Sequence, residues 1–293
     1  MRRVSMRSLK RYLKAIWDLL RLEHGLMYGF GVVIGIYVSD PFFSDLWKLL
    51  LGYLTAVFLQ ASTFALNDYF DYEVDLVNNR TDRPLVRGDL SRRIALALAI
   101  ALMPPGFVAA YLISPLAFIF AFAVSVLACL YDYKLKELGF AGNVYIAFTM
   151  AAPFLFGSII SSGWITEKTA LLASMAFLTG VGREIMKGIE DVEGDALRDV
   201  RSLARTMGER KAASIASLFY LTAVSISPIP LFLLPEFLFD LKYAVPVSVT
   251  DVLLIYVALR LVGDYERESI RKYRKVTLVA MVLGLVGFFA GAF

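Results

Sequence analysis

Two short runs of carboxylates are the residues of this chain best suited to chemistry. The first is Asn67-Asp68-Tyr69-Phe70-Asp71-Tyr72-Glu73-Val74-Asp75 and the second is Glu190-Asp191-Val192-Glu193-Gly194-Asp195. On a helix, Asn67, Asp71 and Asp75 fall at i, i+4 and i+8 and form one stripe, with Asp68 beside it. Asp191 and Asp195 repeat the i, i+4 step, and Glu184 and Lys187 extend that face upstream. Like charges at this spacing oppose helix formation, and a cation between them removes the penalty. The chain has one Cys, Cys129, and one His, His24. Zinc fingers, iron–sulfur clusters and an internal disulfide are therefore excluded, and a Ser–His–Asp mechanism would have to use His24. The metal these runs suit is a hard ion on oxygen ligands, Mg²⁺ above all, held by carboxylates together with substrate phosphates.

Basic residues accompany both runs. Arg80, Arg83 and Arg87 follow the first, and Tyr131, Lys134 and Lys136 end a later apolar stretch. Arg183 and Lys187 precede the second run at i, i+4, so both can face one phosphate. Arg21, Glu23 and His24 lie early in the first apolar stretch, where ionisable groups turn to the protein interior or a cavity. Carboxylates on one side of a polyanion, bridged by metal, and Arg or Lys on the other make a diphosphate site. No GxxxxGK[ST] loop occurs, which argues against a P-loop nucleotide enzyme.

The elements that carry these residues belong in a membrane. Of 293 residues, 58% are hydrophobic and 19% charged, with mean hydropathy +0.65. Soluble domains run at about 45–50% and about 25%. The reading is an all-α polytopic membrane protein with nine transmembrane helices, at about 13–38, 46–70, 92–112, 114–132, 141–162, 169–188, 211–234, 241–262 and 275–292. With the N-terminus cytoplasmic and the C-terminus outside, 27 of the 30 Lys and Arg fall on the cytoplasmic side, leaving Lys48, Lys168 and Lys242. Both carboxylate runs fall on that side too. The basic N-terminus runs into a long apolar stretch without the form of a cleavable signal peptide. No linker or low-complexity tract divides residues 1–293, so one domain is expected. The net charge of +4 follows from topology and calls for no nucleic-acid partner.

These motifs resemble those of the UbiA superfamily of intramembrane prenyltransferases. Asn67-Asp68-x-x-Asp71-x-x-x-Asp75 is similar to its NDxxDxxxD motif, Asp191-x-x-x-Asp195 to its DxxxD motif, and Asn79-Arg80-Thr81-Asp82-Arg83-Pro84 to its N-R-x-x-R-P loop. The resemblance implies nine helices around a central cavity, capped on the cytoplasmic side. It implies a prenyl diphosphate bound on two Mg²⁺ ions, for which Mn²⁺ can substitute. Asn67 and Asp71 would serve one ion, and Asp191 and Asp195 the other. Asp68 and Asp75 belong to the motif and complete the catalytic set with Asp71, Asp191 and Asp195, acting from behind the metal ligands. The family's YxxxK element is approximated by Tyr131 with Lys134 or Lys136. Arg21, His24, Arg80, Arg83, Arg183 and Lys187 complete the candidate substrate-binding set. The segment 183–195 looks most like the archaeal ether-lipid branch of the family. That branch implies geranylgeranyl diphosphate as donor and geranylgeranylglyceryl phosphate as acceptor, a membrane lipid. Arg21-Leu22-Glu23-His24 instead resembles relatives with aromatic acceptors such as 4-hydroxybenzoate, so that acceptor class stays open. An ion-coupled transporter using the same carboxylates is the rival class. It predicts acidic groups near the bilayer midplane rather than at one edge.

Overall fold

A computed structural model of the chain describes residues 6–133, 138–192 and 200–293. It is helical throughout, with no strand among the described residues. The helices are α1 (Met6–Leu20), α2 (Leu22–Ser39), α3 (Leu46–Val77), α4 (Arg92–Ile113), α5 (Pro115–Tyr133), α6 (Phe140–Ser162), α7 (Glu167–Glu190), α8 (Leu203–Met207), α9 (Glu209–Ile226), α10 (Ile229–Leu233), α11 (Leu241–Gly263) and α12 (Arg267–Gly291). Eight segments among the described residues are long and apolar enough to cross a bilayer: α2, α3, α4, α5, α6, α9 with α10, α11 and α12. The protein is a multi-pass membrane protein. The expected span at 169–188 is present as α7. Its last two turns carry Arg183, Glu184, Lys187 and Glu190, and it falls outside the eight.

The expected first span, 13–38, is two helices. Arg21 takes a left-handed backbone, φ 43°, which ends α1. Its carbonyl then accepts from the N–H groups of His24 at 2.8 Å and Gly25 at 3.3 Å and opens α2. A non-glycine residue in this region costs roughly 1–2 kcal/mol, and a buried ion pair of the Arg21 side chain, described below, offsets it. Pro104 and Pro105 lie inside α4, and the chain breaks instead at extended Ser114, before Pro115 opens α5.

The chain divides into two compact units. Unit one comprises residues 1–33 and 45–133. Here α3 packs along α4 and against α1 and α5. Its core includes Leu19 and, on α3 and α4, Ala61, Ala65, Ala95 and Ala99, small residues that let backbones approach where lipid supplies no hydrophobic drive between helices. Ser62 Oγ donates to the Ala99 carbonyl at 2.7 Å across the α3–α4 seam. Unit two comprises residues 34–44 and 134–293. There α7 packs against α6, α9 and α12, and α11 packs between α9 and α12. Gly182 permits the α7–α9 contact, since a Cβ there would lie 2.9 Å from the ring of fully buried Tyr220.

Candidate active site

In unit one, the last turns of α3 gather four separate parts of the chain. Asp68 is 2% exposed and Asp75 is 5% exposed. Arg21 Nη2 donates to Asp68 Oδ1 at 2.6 Å, and Arg83 Nη1 lies 3.2 Å from the same oxygen. Arg83 Nε lies 3.7 Å from Asp75 Oδ2. A carboxylate this buried is tolerated only when paired, and here two guanidiniums from distant segments do the pairing. Arg21 also lies over the Phe64 ring, 4.2 Å from its centroid, and His24 meets that ring edge-on at 5.6 Å.

The loop after α3 separates its two motif arginines. Asn79 adopts φ 50°, and Arg80 N–H returns to the Asp75 carbonyl at 3.0 Å. Arg83 thereby turns inward to Asp68 and Asp75. Arg80 turns outward and forks onto both oxygens of Asp82 at 2.9 Å. The Arg80 hydrogen bond holds the Asp82 carboxyl below its ordinary range. Arg87 braces the loop through Asp89 at 2.8 Å and through Asp18 of α1 at 3.0 Å.

Asn67 is the centre of the oxygen cluster. Its Nδ2 donates to Asp132 Oδ1 at 2.7 Å and to Asp71 Oδ2 at 3.2 Å. With the amide nitrogen committed to two carboxylates, Oδ1 is the atom left to meet a cation. Asn67, Asp71 and Asp132 offer oxygens, which fits Mg²⁺ held jointly with substrate phosphates and does not fit a soft metal; among the described residues no three acidic, His or Cys side chains stand together as a complete cation site. Asp68 Oδ2, buried and with no hydrogen-bond partner among the described residues, adds a further unspent acceptor.

Asp132, 3% exposed at the end of α5, is the residue sequence reasoning missed. Its signal was present, a lone charge in the last turn of an apolar helix beside Tyr131. Gln60 was missed as well. It lies seven residues before Asn67 on the same face of α3, is 8% exposed, and neither amide atom has a partner among the described residues. A single Gln in a span carries no motif and reads as packing.

In unit two, Asp191 caps the C-terminus of α7, its N–H donating to the Lys187 carbonyl at 3.0 Å, and its side chain is exposed. Glu190 beside it accepts from Arg271 Nε at 2.9 Å and from Arg274 Nη1 at 2.5 Å, tying the end of α7 to α12. Arg183 does not share a partner with Lys187, despite their i, i+4 spacing. Its Nη1 donates to the Arg274 carbonyl at 2.7 Å and to Thr277 Oγ1 at 3.1 Å, both on α12. Lys187 Nζ lies 3.4 Å from Glu184 Oε2. The long Arg183 side chain reaches the neighbouring helix, which spacing along one helix does not register. Asp195, Lys134 and Lys136 lie outside the described residues.

Residues 29–286 match the UbiA prenyltransferase family. Over 279 residues the chain is 35% identical to the digeranylgeranylglyceryl phosphate synthase of Pyrococcus furiosus, covering 95% of this chain and 97% of that protein. The enzyme of the same name from Methanocaldococcus jannaschii is 32% identical over 289 residues, 99% of this chain and 98% of that one. A solved digeranylgeranylglyceryl phosphate synthase superposes with TM-score 0.82 at 30% identity, covering 98% of this chain and 99% of that chain. A UbiA homologue from Archaeoglobus fulgidus, solved with GPP and Mg²⁺, shares the fold with TM-score 0.68 at 18% identity, over 94% and 99% of the two chains. With a family match across most of its length and full-length relatives above 30% identity, the chain belongs to the UbiA prenyltransferase family and is a prenyltransferase.

Proposed function

We propose that this enzyme transfers a geranylgeranyl group from geranylgeranyl diphosphate to geranylgeranylglyceryl phosphate, forming an ether bond of archaeal lipids. The observation that carries the reading is the all-oxygen cluster at Asn67, set among arginines at the end of an apolar helix. Full-length similarity to relatives named for this reaction supports the acceptor. Residues 1–293 act as one domain with nine spans, α7 being the ninth. The basic tally supports a cytoplasmic N-terminus, an external C-terminus and an active site on the cytoplasmic side.

Asn67 with Asp71, and Asp191 with Asp195, would each hold one Mg²⁺. When bound, the ions stabilise the charge that develops on the departing diphosphate. The chain's own residues do the rest. Asp132 orients the Asn67 amide. Arg83 is held by Asp68 and Asp75 beside the cluster, where a cation assists an oxyanion. Asp68 anchors Arg21 over Phe64 and so fixes the α1–α2 junction. The acceptor's glycerol oxygen forms a bond to C1 of the prenyl chain as the C1–O bond to diphosphate breaks, and the hydroxyl proton is released. Apolar helix faces exclude water, which would otherwise capture C1.

The deciding experiment incubates the purified protein with labelled geranylgeranyl diphosphate, Mg²⁺ and a panel of acceptors. Label should move to geranylgeranylglyceryl phosphate. Efficient labelling of 4-hydroxybenzoate, with none of the lipid, would overturn the acceptor and leave the reaction class standing.

A further inference from the structure

Helix α1 has a construction that prenyl transfer does not explain. Its 15 residues span roughly 22 Å at 1.5 Å per residue, short of the roughly 30 Å hydrocarbon core, and it is not among the spanning segments. The break at Arg21 frees it from continuing the axis of α2. Around α1 three faces follow from helical spacing. Ala15 and Leu19 are buried in the unit-one core against α3. Leu9, Leu13 and Trp17, at i, i+4 and i+8, stand 50%, 56% and 45% exposed. Lys10 and Lys14 sit one residue on from Leu9 and Leu13, with Arg11 beyond them, and all three are exposed.

The basic face continues into a recess of about 310 Å³ lined by Arg11, Lys14, Ala15, Arg87 and Asp89. Arg11 Nε and Arg87 Nε share the two oxygens of Asp89 at 2.7 and 2.8 Å, and Arg87 also holds Asp18. Three cations around Asp89 and Asp18 leave one positive charge over, and Lys14 makes no ion pair among the described residues. The recess therefore suits one phosphate monoanion. A large apolar stripe flanked by lysines, on a helix too short to span, matches the interface between head groups and acyl chains.

We infer that α1 lies along the membrane surface, with Leu9, Leu13 and Trp17 immersed at the acyl boundary. Lys10, Lys14 and the Arg11–Arg87 recess hold the phosphates of anionic lipids. The charge complementarity selects an anionic leaflet over a neutral one, and continuity with α2, separated from α1 by Arg21 alone, holds the helix at that level. The occupant is a structural lipid of the bilayer, and the inference stands apart from which acceptor the enzyme prenylates.

Trp17 is its own probe. The full chain carrying Trp47→Phe and Trp164→Phe has Trp17 as its one tryptophan. It is reconstituted in vesicles of phosphatidylcholine, with or without phosphatidylglycerol, and its emission is read with acyl chains brominated at shallow or deep positions. We expect strong quenching by shallow bromines, weak quenching by deep ones, and a depth about 5–10 Å below the head groups. Phosphatidylglycerol should deepen quenching and raise the thermal midpoint of the reconstituted protein, and Lys10→Glu/Lys14→Glu should abolish both lipid effects. Quenching by aqueous iodide in place of bromolipid would overturn the placement. So would resistance to both quenchers, which marks a protein contact. Equal behaviour with and without phosphatidylglycerol would overturn the anionic-lipid assignment. If the double variant fails to fold, Lys14→Gln measured with the same lipids decides the same question.

Discussion

The ends of α3 and α7 carry the same kind of carboxylate run, yet their surroundings differ. At the end of α3 Asp68 and Asp75 are buried and Asp71 is half-buried, and Arg21, Arg83 and Asn67 bind these carboxylates from the α1–α2 junction, the following loop and the stripe itself. At the end of α7 Asp191 is exposed, and the arginines hold Glu190 and the α12 backbone instead. The first run is part of the unit's architecture as well as a proposed ligand set. The second is a proposed ligand set on a separately anchored helix end. Removing a carboxylate should therefore have consequences of different kinds at the two places.

The largest effects test the shared role. Asp71→Ala and Asp191→Ala should each lower turnover by about 10²–10³-fold, because each removes a proposed ligand of an ion that would stabilise leaving-group charge by several kcal/mol. Chelation by EDTA should abolish turnover, with recovery on adding Mg²⁺. Full turnover in EDTA would remove the metal from the account. Near wild-type rates in both Asp variants would remove the site.

Stability measurements then split the pair. Asp68→Ala should destabilise the protein by about 3–5 kcal/mol, since Arg21 and Arg83 lose their buried partner. Asp191→Ala should leave the thermal midpoint unchanged, because its side chain is exposed. Equal losses of stability would erase the distinction between the two ends. Arg183→Gln should cost about 1.5–3 kcal/mol through its two bonds to α12. An acceptor KM raised without loss of stability would return Arg183 to the phosphate.

The smallest effect sharpens the first region from within. Arg83→Gln should slow turnover about tenfold or more, whereas Arg80→Gln should stay close to wild type. Arg83 meets buried carboxylates, while the Arg80–Asp82 pair is exposed and worth at most about 1 kcal/mol. Activity assays on the two purified variants check this, and a larger loss in Arg80→Gln would invert the assignment.

Much of this was legible before any fold was known. The apolar stretches mark most of the helices because bilayer thickness sets their length: α3 and α7 appear over the stretches at 46–70 and 169–188, and α3 runs on through Asp71 and Asp75, whereas α7 ends at Glu190, one residue before Asp191. The motif spacing identified the family. The break at Arg21 was not legible, since Arg has no intrinsic preference for a left-handed backbone. Only contact with Asp68, 47 residues away, makes that conformation worthwhile. Nor was Asp132 legible, because its partner Asn67 is 65 residues away on another helix.

The sequence by itself determined the membrane class, most of the spanning helices, the two carboxylate runs and the chemistry they suit. These depend on local periodicity, apolar length and side-chain type, which need no knowledge of neighbours. The tertiary structure decided what each arginine meets: Arg83 inward on Asp68 and Asp75, Arg80 outward on Asp82, Arg21 on Asp68, and Arg183 on the Arg274 carbonyl and Thr277 of α12. A guanidinium on a long flexible stem can reach several elements from one backbone position. Which of them it binds is settled by where packing brings remote segments, and no spacing along a single helix contains that information.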